Sequence, residues 1–154
     1  IVDSPKRLMM SMITISIKIS LPKEEVWKQI ADLESHTAWM ADAETITITS
    51  EKNQGVGTTF DCETKVGPFR LTDRMEITDW QENLIMGVAH SGVVTGKGHF
   101  TLESTGDSET LFSWEETLRF PWWMGGPIGA LFARPVLKAI WKRNLKRLKN
   151  ILEE

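Results

Sequence analysis

Asp73 and Glu116 draw attention first, because each carboxylate falls on the apolar parity of an alternating run. In "GPFRLTDRMEIT", Phe69, Leu71, Asp73, Met75 and Ile77 share one parity against Arg70, Thr72, Arg74 and Glu76. In "TLFSWEETLRF", Glu116 shares its parity with Phe112, Trp114, Leu118 and Phe120. Apolar surroundings disfavour the charged form of a carboxyl group, which lets it act as an acid or base near neutral pH. Proton removal from a carbon beside a carbonyl, as in aldol cyclisation or dehydration, is chemistry that such a pair offers. A second reading stands beside it: each group lies near a strand end, or is paired with an arginine such as Arg74, Arg119 or Arg134.

His90 precedes the turn "SGV" and is placed at the rim of the fold, where it would hydrogen-bond a ligand carbonyl or phenol. His99 has outward parity and His36 follows the first helix, so both read as surface residues. The histidines and Cys62 show no metal-site spacing, and no metal or cofactor is expected. Cys62, between Asp61 and Glu63, lacks an activating neighbour and reads as a small buried apolar residue. "GVG" at Gly55 to Gly57 is no phosphate loop, because no Lys-Ser/Thr follows and the next run is a strand.

The elements that must hold these groups follow from periodicity. "MITISIKIS" alternates Ile13, Ile15, Ile17 and Ile19 with polar residues, as a half-buried strand does. "LPKEEVWKQIADLESHTAWM" then changes to helical spacing, with Pro22 at the first helical position and Glu24 and Glu25 at the positive end of the dipole. Leu33 to Trp39 reads as a second short helix. From Ala43 the period returns to two, and six further strands are separated by "KNQGVG", "VGP", "DWQEN", "HSG" and "STGDSE". Pro127 to Leu152 is one long amphipathic helix that Pro135 should kink or divide. The expected fold class is α+β: a curved seven-stranded antiparallel sheet wrapped around a long C-terminal helix, with two short helices between strands one and two.

The 154 residues, 25% charged and 41% hydrophobic, suit one globular domain over 11–154, with 1–10 a tail or an appended remnant. A single cysteine excludes an internal disulfide framework and fits a reducing, cytoplasmic setting. The net charge of −3 conceals an asymmetry, since seven basic and no acidic residues lie between Arg134 and Lys149. Lys138, Lys142, Lys146 and Lys149 read as the solvated face of that helix, and no nucleic-acid partner is expected. "FPWWMGGPIGALFA", from Phe120 to Ala133, is uncharged yet too short and broken to span a membrane. A gate over a ligand entrance is the leading reading of it. A rigid plug completing the core, or an apolar patch for transient membrane or protein contact, are the others.

The runs "ISLPKEEVWKQIADLESHTAWM", "GVGTTF", "LTDRMEITDW" and "FSWEETLRFP", with the ending "NLKRLKNILE", resemble the START-like (SRPBCC) superfamily, and most of all its polyketide cyclase/dehydrase and lipid-transport branch. The resemblance covers about residues 12–152 and implies the helix-grip fold, with a deep apolar cavity between sheet and terminal helix. The glycines at Gly96 and Gly98 add almost no volume on the inward parity, which supports such a cavity, or else only permit curvature. Its expected lining is Trp39, Phe60, Phe69, Leu71, Met75, Met86, His90, Phe100, Phe112, Trp114, Trp123, Leu131, Phe132 and Leu137. The expected function is binding or transport of a small hydrophobic or aromatic molecule, by a monomer or homodimer. The alternatives are a polyketide cyclase/dehydrase-type enzyme that uses Asp73 and Glu116 in the same cavity, and a partner-binding module.

Overall fold

The computed structural model describes residues 11–154, so the expectation for 1–10 lies outside the described residues. Strand β1 (Ser11–Ile19) leads into helix α1 (Lys23–Ala31) and a 3-10 turn (Leu33–Ala38). Then come β2 (Ala43–Ile48), β3 (Thr59–Val66), β4 (Phe69–Gln81), β5 (Ile85–Ser91), β6 (Thr95–Gly106) and β7 (Glu109–Arg119). A 3-10 turn at Trp122–Met124 and helix α2 (Gly126–Leu152) complete the chain. The expected element order is therefore present, with Pro22 capping α1 from outside rather than opening it.

One antiparallel sheet holds the strands in the order β1-β7-β6-β5-β4-β3-β2. Strands β1 and β2 are consecutive in the chain but lie at opposite edges, and α1 with its 3-10 turn carries the chain between them. Alternation fixes which face is inner. On β7 every second residue from Thr110 to Leu118 is buried, and β1 sets Ile13, Ile15 and Ile17 opposite Glu116, Trp114 and Phe112. A one-residue slip would turn all of these outward, so the register is strongly specified.

Helix α2 lies mainly along β1. Its C-terminal half closes the core through Trp141, Leu145 and Leu148, and Trp141 stacks on Trp114 at 4.7 Å and 16°. The wholly buried Asn144 locks the helix to the segment before β2. Its amide donates to Asp42 at 2.8 Å and its oxygen accepts from the Ala41 backbone N–H at 3.0 Å, while the Trp141 indole donates to Asp42 at 3.1 Å. These bonds satisfy groups that burial would otherwise leave unpaired.

The N-terminal half of α2 is different. Ile128, Leu131, Phe132 and Val136 are exposed, and only Ala130 beyond the first residue is buried before Trp141. The helix continues unbroken through Pro135, contrary to the expected division. A proline removes the bond to the carbonyl four residues back, here that of Leu131, and both residues lie on the exposed side of the helix.

Candidate functional site: an apolar cavity with one ionic cluster

Beneath the exposed half of α2 the sheet and helix separate, leaving a cavity of about 700 Å³. Small residues on the helix, Gly129 and Ala133, face it, and Phe60, Leu71, Met75, Met86 and Phe100 line the sheet side. The volume falls in the range of small-molecule sites, and the wall is mostly apolar.

Of the expected lining, Phe60, Phe69, Leu71, Met75, Met86, His90, Phe100, Trp114, Trp123 and Leu137 border this space, as do Asp73 and Glu116. Four residues do not. Trp39 and Phe112 are fully buried behind it, with Trp39 packed against Phe100, Phe112 and Trp114. Parity gives the face of a strand residue but not its depth, and Trp39 follows a 3-10 turn where no parity applies. Leu131 and Phe132 are 63% and 74% exposed, because helical rotation places them away from Gly129 and Ala133, which border the cavity. Met40, Ala43, Ile46 and Val94 also line the cavity, and no sequence reasoning identified them. Met40 and Ala43 flank a segment without regular period, so no periodic signal existed for them.

The ionic cluster of the cavity is drawn from three strands. His90 on β5 gives its Nδ1 side to Asp73 on β4, 3.0 Å from Oδ2, and its Nε2 side to Glu116 on β7, 3.1 Å from Oε1. Both carboxylates thus find a histidine between them, not an arginine. His90 itself is 8% exposed and lies inside the cavity wall, not at the rim. Burial alone would push its pKa down. The charge of Glu116 and the hydrogen bonds to both carboxylates outweigh that and lift it to about 10. His90 is therefore an imidazolium at neutral pH, both N–H groups donating.

Glu116 can reach His90 only because β6, which lies between their strands, carries a glycine at the crossing. Gly98 pairs with Glu116 on one side and with Val88 on the other. A Cβ at Gly98 would overlap the Glu116 side chain, lying 2.7 Å from its Oε1. The place of a side chain at Gly98 is accordingly taken by Glu116, and Gly98 itself borders the cavity. Gly96, at φ +145°, is required by backbone conformation instead. Gly98→Ala is expected to push Glu116 off His90 and lower the His90 pKa by at least about one unit, worth about 1.4 kcal/mol. Imidazole titration by NMR would read this, and an unchanged value would remove Gly98 from the cluster.

The remaining ionisable candidates divide cleanly. His36, expected at the surface, is buried beside Trp39 and Phe100. Desolvation lowers its pKa to about 4 against the opposing effects of the Ile30 carbonyl and Asp32, so it is neutral and donates from Nε2 to that carbonyl at 2.7 Å. His99 stays on the outer face, 3.9 Å from Glu115. Cys62 is buried, and desolvation raises its thiol to about 11, which leaves it a poor nucleophile. Among the described residues no group of three or more His, Cys, Asp or Glu is arranged to hold a metal ion.

The Trp122–Met124 turn forms the cavity's rim without filling it. Trp122 is 87% exposed and Trp123 61%, and no residue of the turn is buried, so the two tryptophans do not plug the core. Trp123 and Met124 nevertheless border the cavity.

A family model described as polyketide cyclase / dehydrase and lipid transport matches residues 10–153, nearly the whole chain. The chain belongs to this family. The polyketide cyclase/dehydrase and lipid-transport fold recurs in solved structures at low identity. The Zhui aromatase/cyclase from Streptomyces sp. R1128 is 17% identical, with a TM-score of 0.73 and 94% of each chain covered. A START superfamily protein from Mycobacterium smegmatis is 14% identical, with a TM-score of 0.75 over 92% of this chain and 97% of that one. At such identities the likeness establishes the START-like helix-grip fold and nothing about substrate. No curated protein matches the chain by sequence. Family and fold together point this polyketide cyclase/dehydrase-family member to ligand binding.

Proposed function

We propose that this chain binds one small hydrophobic or aromatic molecule in the cavity beneath α2, with the Asp73–His90–Glu116 cluster orienting it. The observation that carries the reading is a cavity of about 700 Å³, walled mostly by apolar side chains, in which His90 is paired with both Asp73 and Glu116. Apolar burial supplies the affinity, at about 25 cal/mol per Å² before ordering costs. Met75, Met86 and Met124 give the wall an adaptable lining. Native mass spectrometry of protein from its own source is expected to show one co-purifying small molecule per chain. Ala133→Trp, which fills the cavity from α2, is expected to weaken binding of an apolar fluorophore by at least about a hundredfold, about 2.7 kcal/mol. A ligand-free chain whose fluorophore affinity ignores Ala133→Trp would end the reading.

Catalysis in the same cavity, a cyclase or dehydrase reaction, is favoured by one feature only: carboxylates beside apolar space. His90 cannot be the base at neutral pH, since both nitrogens carry protons committed to Asp73 and Glu116. The base in that reading would be Glu116, and Glu116→Gln would abolish turnover of a polyketide-like substrate.

The rim is the entrance, and it suits an anionic lipid surface. Trp122, Trp123, Ile128, Leu131, Phe132 and Val136 are all exposed, Arg134 and Lys138 follow in the same stretch of sequence, and no acidic residue occurs in 120–152. Among the described residues no helix is long and apolar enough to cross a membrane. Co-sedimentation with phosphatidylserine-containing vesicles is expected, reduced at least about tenfold by joint Trp122→Ala and Phe132→Ala substitution, about 1.4 kcal/mol. Equal retention of both proteins, or of neither, would exclude this role for the rim.

A further inference from the structure

We infer that the cavity selects an apolar molecule ending in a protonated amine, received by the free oxygen of Glu116. The inference rests on the binding reading above and narrows it to a ligand class. His90 uses both N–H groups, one on Asp73 and one on Glu116 Oε1. Glu116 is 7% exposed and borders the cavity, and among the described residues its side chain is bonded through Oε1, to His90, which leaves Oε2 for a ligand. The cluster thus offers a cavity ligand acceptor capacity and no spare donor.

Charge points the same way. One imidazolium between two carboxylates sums to a single negative charge. Asp42, the other acid bordering the cavity, spends its oxygens on Trp141 and Asn144 and adds a second. Among the described residues no lysine or arginine lines the space. A carboxylate or phosphate end would enter a negative, poorly hydrated site without a counter-charge. An ammonium end would close the cluster as two anions and two cations, with a charge-assisted bond to Oε2. A hydroxyl end would donate to the same oxygen without neutralising the charge, so it falls between the two.

The test is a matched series sharing one tail: dodecylamine, dodecanol and dodecanoate, titrated as monomers into the full chain by calorimetry near neutral pH. The expected order is amine, alcohol, carboxylate, with the amine at least about tenfold tighter than the alcohol, about 1.4 kcal/mol. In Glu116→Gln the amine-to-alcohol ratio is expected to fall toward one. If that variant does not fold, as judged by circular dichroism, the order in the unmodified chain still decides. Dodecanol binding with no amine preference, or dodecanoate binding as tightly as the amine, overturns the ligand class and leaves the binding reading intact. Failure of all three to bind overturns both.

Discussion

Replacing His90 with alanine lowers the unfolding free energy by roughly 3–5 kcal/mol, the cost of stripping a buried ionic group of one partner. The loss exceeds that of an ordinary cavity-lining substitution because two carboxylates then face each other without a cation. Among the described residues Asp73 and Glu116 have no second basic neighbour to turn to, since His90 is the ion-pair partner of both. Removing all three charges together, as His90→Leu, Asp73→Asn and Glu116→Gln, is expected to recover most of the loss, because no unpaired charge remains. Urea unfolding would read both through the midpoint, with an unchanged slope showing that compactness is preserved. A His90→Ala protein within about 0.5 kcal/mol of the parent would mean that the cluster is solvated and contributes little.

Stability should peak near pH 6.5 and fall on both sides, for opposite reasons in two histidines. His90 has a folded pKa raised to about 10, so its contribution is complete below the unfolded value of 6.5 and is lost as pH climbs to about 10. His36 has a folded pKa lowered to about 4, so its contribution is complete above 6.5 and is lost as pH descends to about 4. Each loss is on the order of a few kcal/mol, since one pKa unit corresponds to about 1.4 kcal/mol. Cys62, raised to about 11 by burial, adds to the alkaline loss above its ordinary value of 9.0. Unfolding midpoints between about pH 4 and 10 would trace the two limbs. His36→Phe should flatten the acid limb, and His90→Gln the alkaline limb up to about pH 9, where the Cys62 loss begins. A profile level from neutral pH up to about 10 would refute the assignment for His90.

The strands were readable because their chemistry is periodic. Strict alternation in "TLFSWEETLRF" assigned Glu116 to the inner face, and the fold agrees at every position from Thr110 to Leu118. The same rule placed Asp73 beside Leu71 and Met75 on the cavity side of β4. Where periodicity lapses, inference lapsed with it. His36 sits in a 3-10 turn, and local composition gave no sign that the turn folds inward over Phe100. Leu131 and Phe132 lie in a helix whose apolar residues surround it, so pattern alone could not say which stripe meets the sheet.

By itself, then, the order of residues determined the elements, their faces and the two inward acids, since each depends on spacing within a single run. The meeting of Asp73, His90 and Glu116 was decided only by the tertiary structure. It joins positions 17 and 26 residues apart through strand register, and it needs a missing side chain at Gly98 for one of them to cross β6. The cavity's volume was settled there too. A void is the difference between a sheet's curvature and the side chains that fill it, and no single segment carries that difference.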